Sequence, residues 1–162
     1  MQRDNLAALQ PDSLIQLPQG GLITGHTKLN APARAVWNIV GNFGGFAAFI
    51  PPLAWIEMTG SGVRSIRKKF FRDGNIVMEQ LNARDDEKMQ MSWTLLYTTF
   101  NIGNLWSSMR VQALNEQQCE VFWDIIADPW EGGEAARPEF NAFLEGFLGM
   151  AMSNLEGMFG QA

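Results

Sequence analysis

Between Leu53 and Asp128 apolar and polar residues alternate with a period of two, the spacing of strands that bury one face. The alternation breaks at Gly60–Gly62, Asp73-Gly74, Asp85-Asp86, about Asn101–Asn104 and Asn115–Gln118. Asp and Gly adopt turn backbone angles cheaply, so these breaks predict turns in a meander of about six strands. Ahead of it, LITGHTKLN (22–30) alternates well enough for a first strand. Pro32 then falls where a first helical turn tolerates a missing N–H, and Trp37, Ile39, Val40 and Phe43 give the following helix an apolar side. Trp37 is expected to pack against the end of the sheet. Gly41, Gly44 and Gly45 weaken that helix, so FAAFI (46–50) makes a short second one before Pro51-Pro52 stop it. From Glu134 on, Phe140, Phe143, Leu144, Phe147, Leu148, Ala151, Met152, Leu155 and Phe159 recur at i, i+3, i+4, the stripe of a long amphipathic helix.

These elements in this order describe an α+β fold with seven strands. An open sheet with a long helix across one face leaves an internal cavity between them. Residues 1–20 are polar with scattered Leu and two prolines, and read as an N-terminal arm outside a single domain over 21–162. A chain of 162 residues can bury a core without disulfides.

Charge and composition narrow the partners. Twelve basic against 17 acidic residues give a net charge of −5, the wrong sign for neutralising phosphates, so neither nucleic acid nor an anionic membrane surface is expected. No apolar run reaches the ~18 residues that span a bilayer, and the start lacks the basic-then-apolar pattern of a secretion signal. The reading is a soluble, cytoplasmic protein without membrane insertion. The lone Cys119 sits in an alternating run, CEVFWDI, as a strand residue. His26 is the one histidine, so no His-based metal cluster forms, and no cofactor is expected. GSGV without a phosphate-loop lysine is a turn, and the run Arg67, Lys68, Lys69 and Arg72 reads as a solvated strand face.

The stretches APARAVWNIVGNF, GSGVR ending at Arg64, VMEQLNARDDEK (77–88), NLWSSMRV and CEVFWDIIADP resemble the START-like, or SRPBCC, superfamily. Their order over residues 22–159 is most similar to its polyketide cyclase/dehydrase branch, with plant abscisic-acid receptors and birch-pollen-type allergens more distant. The resemblance implies a helix-grip fold: a curved seven-stranded antiparallel sheet wrapped around a long C-terminal helix, with two short helices between strands 1 and 2. In the hormone receptors a lysine near the end of the second short helix meets the ligand acid. Ile50 stands at the matching position here, and the gate loop is replaced by the tight turn RDGN (72–75). This chain is not expected to bind that hormone.

Strand parity and the resemblance agree on the side chains facing the cavity: Val77, Glu79 and Leu81; Met91, Trp93 and Leu95; Leu105, Ser107, Met109 and Val111; Val121, Trp123 and Ile125. Met78, Gln80, Asn82, Gln90, Ser92 and Thr94 should face away. Glu79 is the charged exception in an apolar set. An ionised carboxylate there needs a partner or it protonates, so it pairs with Arg64 or water, orients a ligand, or moves a proton. Trp93 and Trp123 serve core packing or substrate stacking. The expected ligand-binding set is Phe49, Ile50, Arg64, Glu79, Trp93, Ser107, Trp123, Phe143, Phe147 and Ala151, with Glu79 the best catalytic candidate. Three functions fit: binding of a small hydrophobic or amphipathic molecule, a cyclase, aromatase or lyase acting through Glu79, and a protein-interaction module. A homodimer is left open.

Overall fold

The computed structural model describes residues 17–162, so most of the expected arm lies outside the described residues. Strand β1 (Ile23–Leu29) leads into helix α1 (Ala33–Val40), followed by β2 (Leu53–Thr59), β3 (Ile66–Phe71), β4 (Ile76–Asp85), β5 (Gln90–Thr98), β6 (Asn104–Ala113) and β7 (Cys119–Asp128). Helix α2 (Arg137–Phe159) closes the chain. All seven strands form one antiparallel sheet in the order β1-β7-β6-β5-β4-β3-β2. The sheet is therefore open, with β1 and β2 at its edges. This is the helix-grip fold, and every predicted break falls between two strands or overlaps a strand end by one residue.

α1 buries Ala33, Val36, Trp37 and Val40, the face its i, i+3, i+4 spacing requires. Trp37 is 2% exposed, and its indole N–H donates to Asp86 Oδ1 at 2.9 Å. The expected second helix is only a 3-10 turn over Phe46–Ala48, because two glycines before it and two prolines after it leave no room for a full α-turn. Phe46 in that turn is fully buried.

α2 lies along β1. A Cβ on Gly25 of β1 would stand 2.8 Å from the Cβ of Leu148, so glycine is what allows the helix to come this close. α2 buries Phe140, Leu144, Leu148, Ala151, Met152 and Leu155. Phe143 and Phe147 lie at the margin of that stripe, and Phe143 is 47% exposed. Before α2, Asp128 accepts from the Arg137 guanidinium at 2.9 Å and from the Gln19 backbone N–H at 2.9 Å. The chain just ahead of β1 is thus tied to the far end of β7.

Parity holds along β4, β6 and β7: Val77, Glu79 and Leu81, then Leu105, Ser107, Met109 and Val111, then Val121, Trp123 and Ile125 are buried. In β5, Met91, Trp93 and Leu95 are buried as expected, and so is Thr94, which accepts from the Asn82 amide at 2.5 Å. The β4–β5 ladder shifts register between Met78 and Glu79 and again between Leu81 and Ala83. Two such irregularities bracket Glu79–Leu81, where the strands re-aim their side chains. No helix among the described residues is long and apolar enough to cross a membrane.

Candidate functional site

Glu79 is 3% exposed on the sheet face that α2 covers. Its partners come from β3 and β5. The Arg67 Nε–H donates to Glu79 Oε1 at 2.9 Å, Lys69 Nζ stands 2.9 Å from the same oxygen, and the Trp93 indole N–H donates to Oε2 at 3.1 Å. Arg67 is directly opposite Glu79 in the β3–β4 ladder, while Lys69 is opposite Val77, two residues along. That is the diagonal a long side chain spans.

This overturns the solvated-face reading of the basic run. Arg67 and Lys69 are 0% and 4% exposed; Lys68 points the other way, and Arg72 is exposed. Along a strand alternate residues share a face, and the face holding Arg67 and Lys69 also holds the buried Phe71. Arg64, expected beside Glu79, is exposed in the turn before β3 with φ at 74°. The pairing requirement recognised for Glu79 is met by the next two basic residues on the inward face.

Arg67 is held from both sides. Its guanidinium carbon lies 3.9 Å from the Phe43 ring centroid and 4.1 Å from that of Phe46, and Nη1 donates to the Phe43 carbonyl at 2.9 Å. Aromatic faces suit a planar, weakly hydrated cation. Nη2 is buried without a partner.

Two cations face one anion, so the cluster holds excess positive charge. Burial pulls the Arg67 guanidinium down from its ordinary value, against the attraction of Glu79. Burial likewise lowers the Lys69 ammonium, with Glu79 opposing and Arg67 assisting, to about 8. For Glu79, burial alone would raise the carboxyl, but Lys69 and Arg67 outweigh it and hold it below the usual range.

Lys69, Glu79 and Trp93 form the polar end of a pocket of about 60 Å³. Ser107 and Trp123 also border it; the Trp123 indole donates to Ser107 Oγ at 2.8 Å, and Ser107 donates to the Asp124 carbonyl at 2.8 Å. Phe71, Leu95, Phe100, Ile102, Phe143 and Phe147 make up much of its apolar wall. Of the expected set, Glu79, Trp93, Ser107, Trp123, Phe143 and Phe147 therefore meet around one space. Phe49, Ile50 and Ala151 are buried but stand outside that lining. Phe46 explains the first: its ring lies 4.8 Å from Phe49, 5.7 Å from Trp93 and 5.5 Å from Trp123, filling the space between the turn and the pocket. The same aromatic filling leaves the cavity far below the roughly 300 Å³ of an ordinary ligand pocket.

A wider groove of about 560 Å³ opens between α1, the Gly60–Gly62 turn and β4. Its charged groups are already engaged: Arg34 donates to the Asp86 carbonyl, and Arg84 to the Asp86 carboxylate and the Gly41 carbonyl. The buried, incompletely matched charges belong to the smaller pocket between the sheet and α2, and such groups mark functional sites.

The sequence model of the family described as polyketide cyclase/dehydrase and lipid transport matches residues 22–157. The chain belongs to that family. No curated protein sequence matches it. Among solved structures, this polyketide cyclase/dehydrase family member is similar to the protein XoxI from Bacillus cereus, with TM-score 0.77 and 19% identity over 86% of this chain and 95% of that one. It is also similar to the Zhui aromatase/cyclase from a Streptomyces species, with TM-score 0.74 and 15% identity over 85% and 92%. A START superfamily protein from Mycobacterium smegmatis gives TM-score 0.74 and 12% identity over 86% and 97%. At these identities the likeness is one of fold.

Proposed function

We propose that this chain binds a small amphipathic molecule in the pocket between the sheet and α2, with an oxygen acceptor of the ligand toward Lys69 and an apolar body against Leu95, Phe100 and Phe147. The observation that carries this reading is the buried cluster of Arg67, Lys69 and Glu79, two cations against one anion, at the end of an otherwise apolar space. Buried ions are costly unless matched, and an acidic or carbonyl oxygen supplies the missing match. The description of the family, which spans cyclases, dehydrases and lipid transport, supports a hydrophobic or amphipathic ligand. A volume of about 60 Å³ favours a ligand of a few heavy atoms, and a larger one requires Phe143 and Phe147 to swing outward.

The test is a tryptophan-fluorescence titration with isobutyrate and with isobutylamine, which share an apolar body and differ in the sign of the head group. Trp93 and Trp123 border the pocket and report on it. Isobutyrate should change the emission and isobutylamine should not. Equal responses to both, or none to either, would remove the cluster from the site.

A lyase or cyclase acting through Glu79 is the second reading, supported by a carboxylate within hydrogen-bond reach of an ammonium inside the pocket. It predicts turnover that Glu79→Gln abolishes while binding persists.

A further inference from the structure

The chain has four lysines. Lys28 and Lys88 are exposed, Lys68 is half-buried, and Lys69 alone is buried. Its amine borders the pocket, 2.9 Å from Glu79 Oε1. The charged groups facing it are Glu79 from β4 and Arg67 from its own strand. From β5, β7 and α2 the pocket offers Trp93, Trp123, Leu144 and Phe147, none of them charged. An amine buried beside a second cation, in an apolar space, loses its proton more readily than one in water and becomes a nucleophile toward carbonyl carbon.

We propose that Lys69 forms an imine with a small aldehyde or ketone held in this pocket, with Glu79 carrying the protons. The proposal rests on the small-molecule reading above. Glu79 Oε1 first takes one proton from the ammonium. The nitrogen lone pair then bonds to the carbonyl carbon, the C=O π pair moves to oxygen, and that oxygen takes a proton from nitrogen to give a carbinolamine. The remaining nitrogen lone pair expels the hydroxyl, which leaves as water with the proton Glu79 carried. The net change is ammonium plus carbonyl giving protonated imine plus water, with Glu79 ionised again. Burial and Arg67 together bring the Lys69 amine to about 8, so a useful fraction is free near neutral pH. A cavity of about 60 Å³ limits the carbonyl compound to a few heavy atoms, and acetone is a probe of that size.

The experiment incubates the full chain with acetone and sodium cyanoborohydride, which reduces an imine to a stable isopropyl amine, then maps modified peptides by mass spectrometry. One isopropyl group is expected on Lys69. Its rate of formation should be at least about tenfold that at Lys28, Lys68 or Lys88, because Lys69 is the lysine whose amine borders the pocket that holds the carbonyl compound. The Lys69 rate should rise with pH through a midpoint of about 8. Lack of an adduct at Lys69, or labelling of the lysines in order of exposure, would overturn the proposal. A parallel titration with 2-propanol, equal in size but without a carbonyl, separates the two readings through tryptophan emission. A response to 2-propanol without an adduct ends the imine proposal and leaves the binding reading standing. Neither response nor adduct ends both.

Discussion

Lys69 Nζ and Arg67 Nε converge on a single oxygen of Glu79, each at 2.9 Å, in a space where the three side chains are at most 5% exposed. One carboxylate thus holds two cations inside the fold, and the other Glu79 oxygen is taken by the Trp93 indole. Removing any one member leaves the rest mismatched in a medium that solvates charge poorly.

Glu79→Gln keeps size but leaves Arg67 and Lys69 without their anion. The expected cost is about 3–5 kcal/mol in urea unfolding, the range for breaking a buried pair from one side. Replacing Lys69 by Met in the same background should recover part of it. A single variant as stable as wild type would mean that water reaches the cluster.

Stability should rise with pH between about 8 and 10.5, the folded and ordinary values for the Lys69 amine. In that window the unfolded chain holds the proton that the folded chain has released, so raising pH favours the folded state. The gain attributable to Lys69 is up to about 3 kcal/mol, and subtracting the same curve for Lys69→Met isolates it. At the acid end the sign is the same, because the Glu79 carboxyl is also shifted downward in the folded chain. Glu79 is held below the usual carboxylate range, so its contribution is present above the ordinary glutamate value and is lost as pH falls through the folded one. Flat difference curves in both windows would contradict the charge states assigned to the cluster.

Phe147 packs edge-on to Trp123, with centroids 5.6 Å apart, and tilts against Phe71 at 6.4 Å. Phe147→Ala should open the pocket toward α2. Because Phe147 is only partly buried, the stability loss should stay near or below the low end of the roughly 3–5 kcal/mol of a core Phe→Ala change. Affinity for larger apolar dyes should increase. Identical dye binding in both proteins would exclude Phe147 from the wall.

Trp37→Ala removes a fully packed side chain from α1 and leaves Asp86 without its indole donor. A loss of about 3–5 kcal/mol is expected, read as a fall in thermal midpoint. An unchanged midpoint would argue that α1 contributes little to the closed end of the sheet.

The succession of strands along the chain, the turns, the inward faces of β4 to β7 and the long closing helix could be read from the sequence, because each depends on a local period and on turn residues within a few positions. Glu79 could be identified for the same reason, as a carboxylate at an inward position of a regular strand. Its partners could not. Arg67, Lys68 and Lys69 are charged in succession and Phe70 and Phe71 follow as a pair, and a stretch without apolar alternation carries no sign of which residues turn inward; only the pairing of β3 with β4 sets Arg67 opposite Glu79. Arg64, the partner expected for Glu79, lies in a turn with left-handed backbone that carries it to the surface. The size of the cavity was likewise decided in three dimensions. Phe46 belongs to a single 3-10 turn, yet its ring meets Phe49, Trp93 and Trp123, residues far apart in the chain. Periodicity assigns a side chain to a face, whereas the volume left between faces depends on how rings from several elements interlock, and that is a property of the folded packing alone.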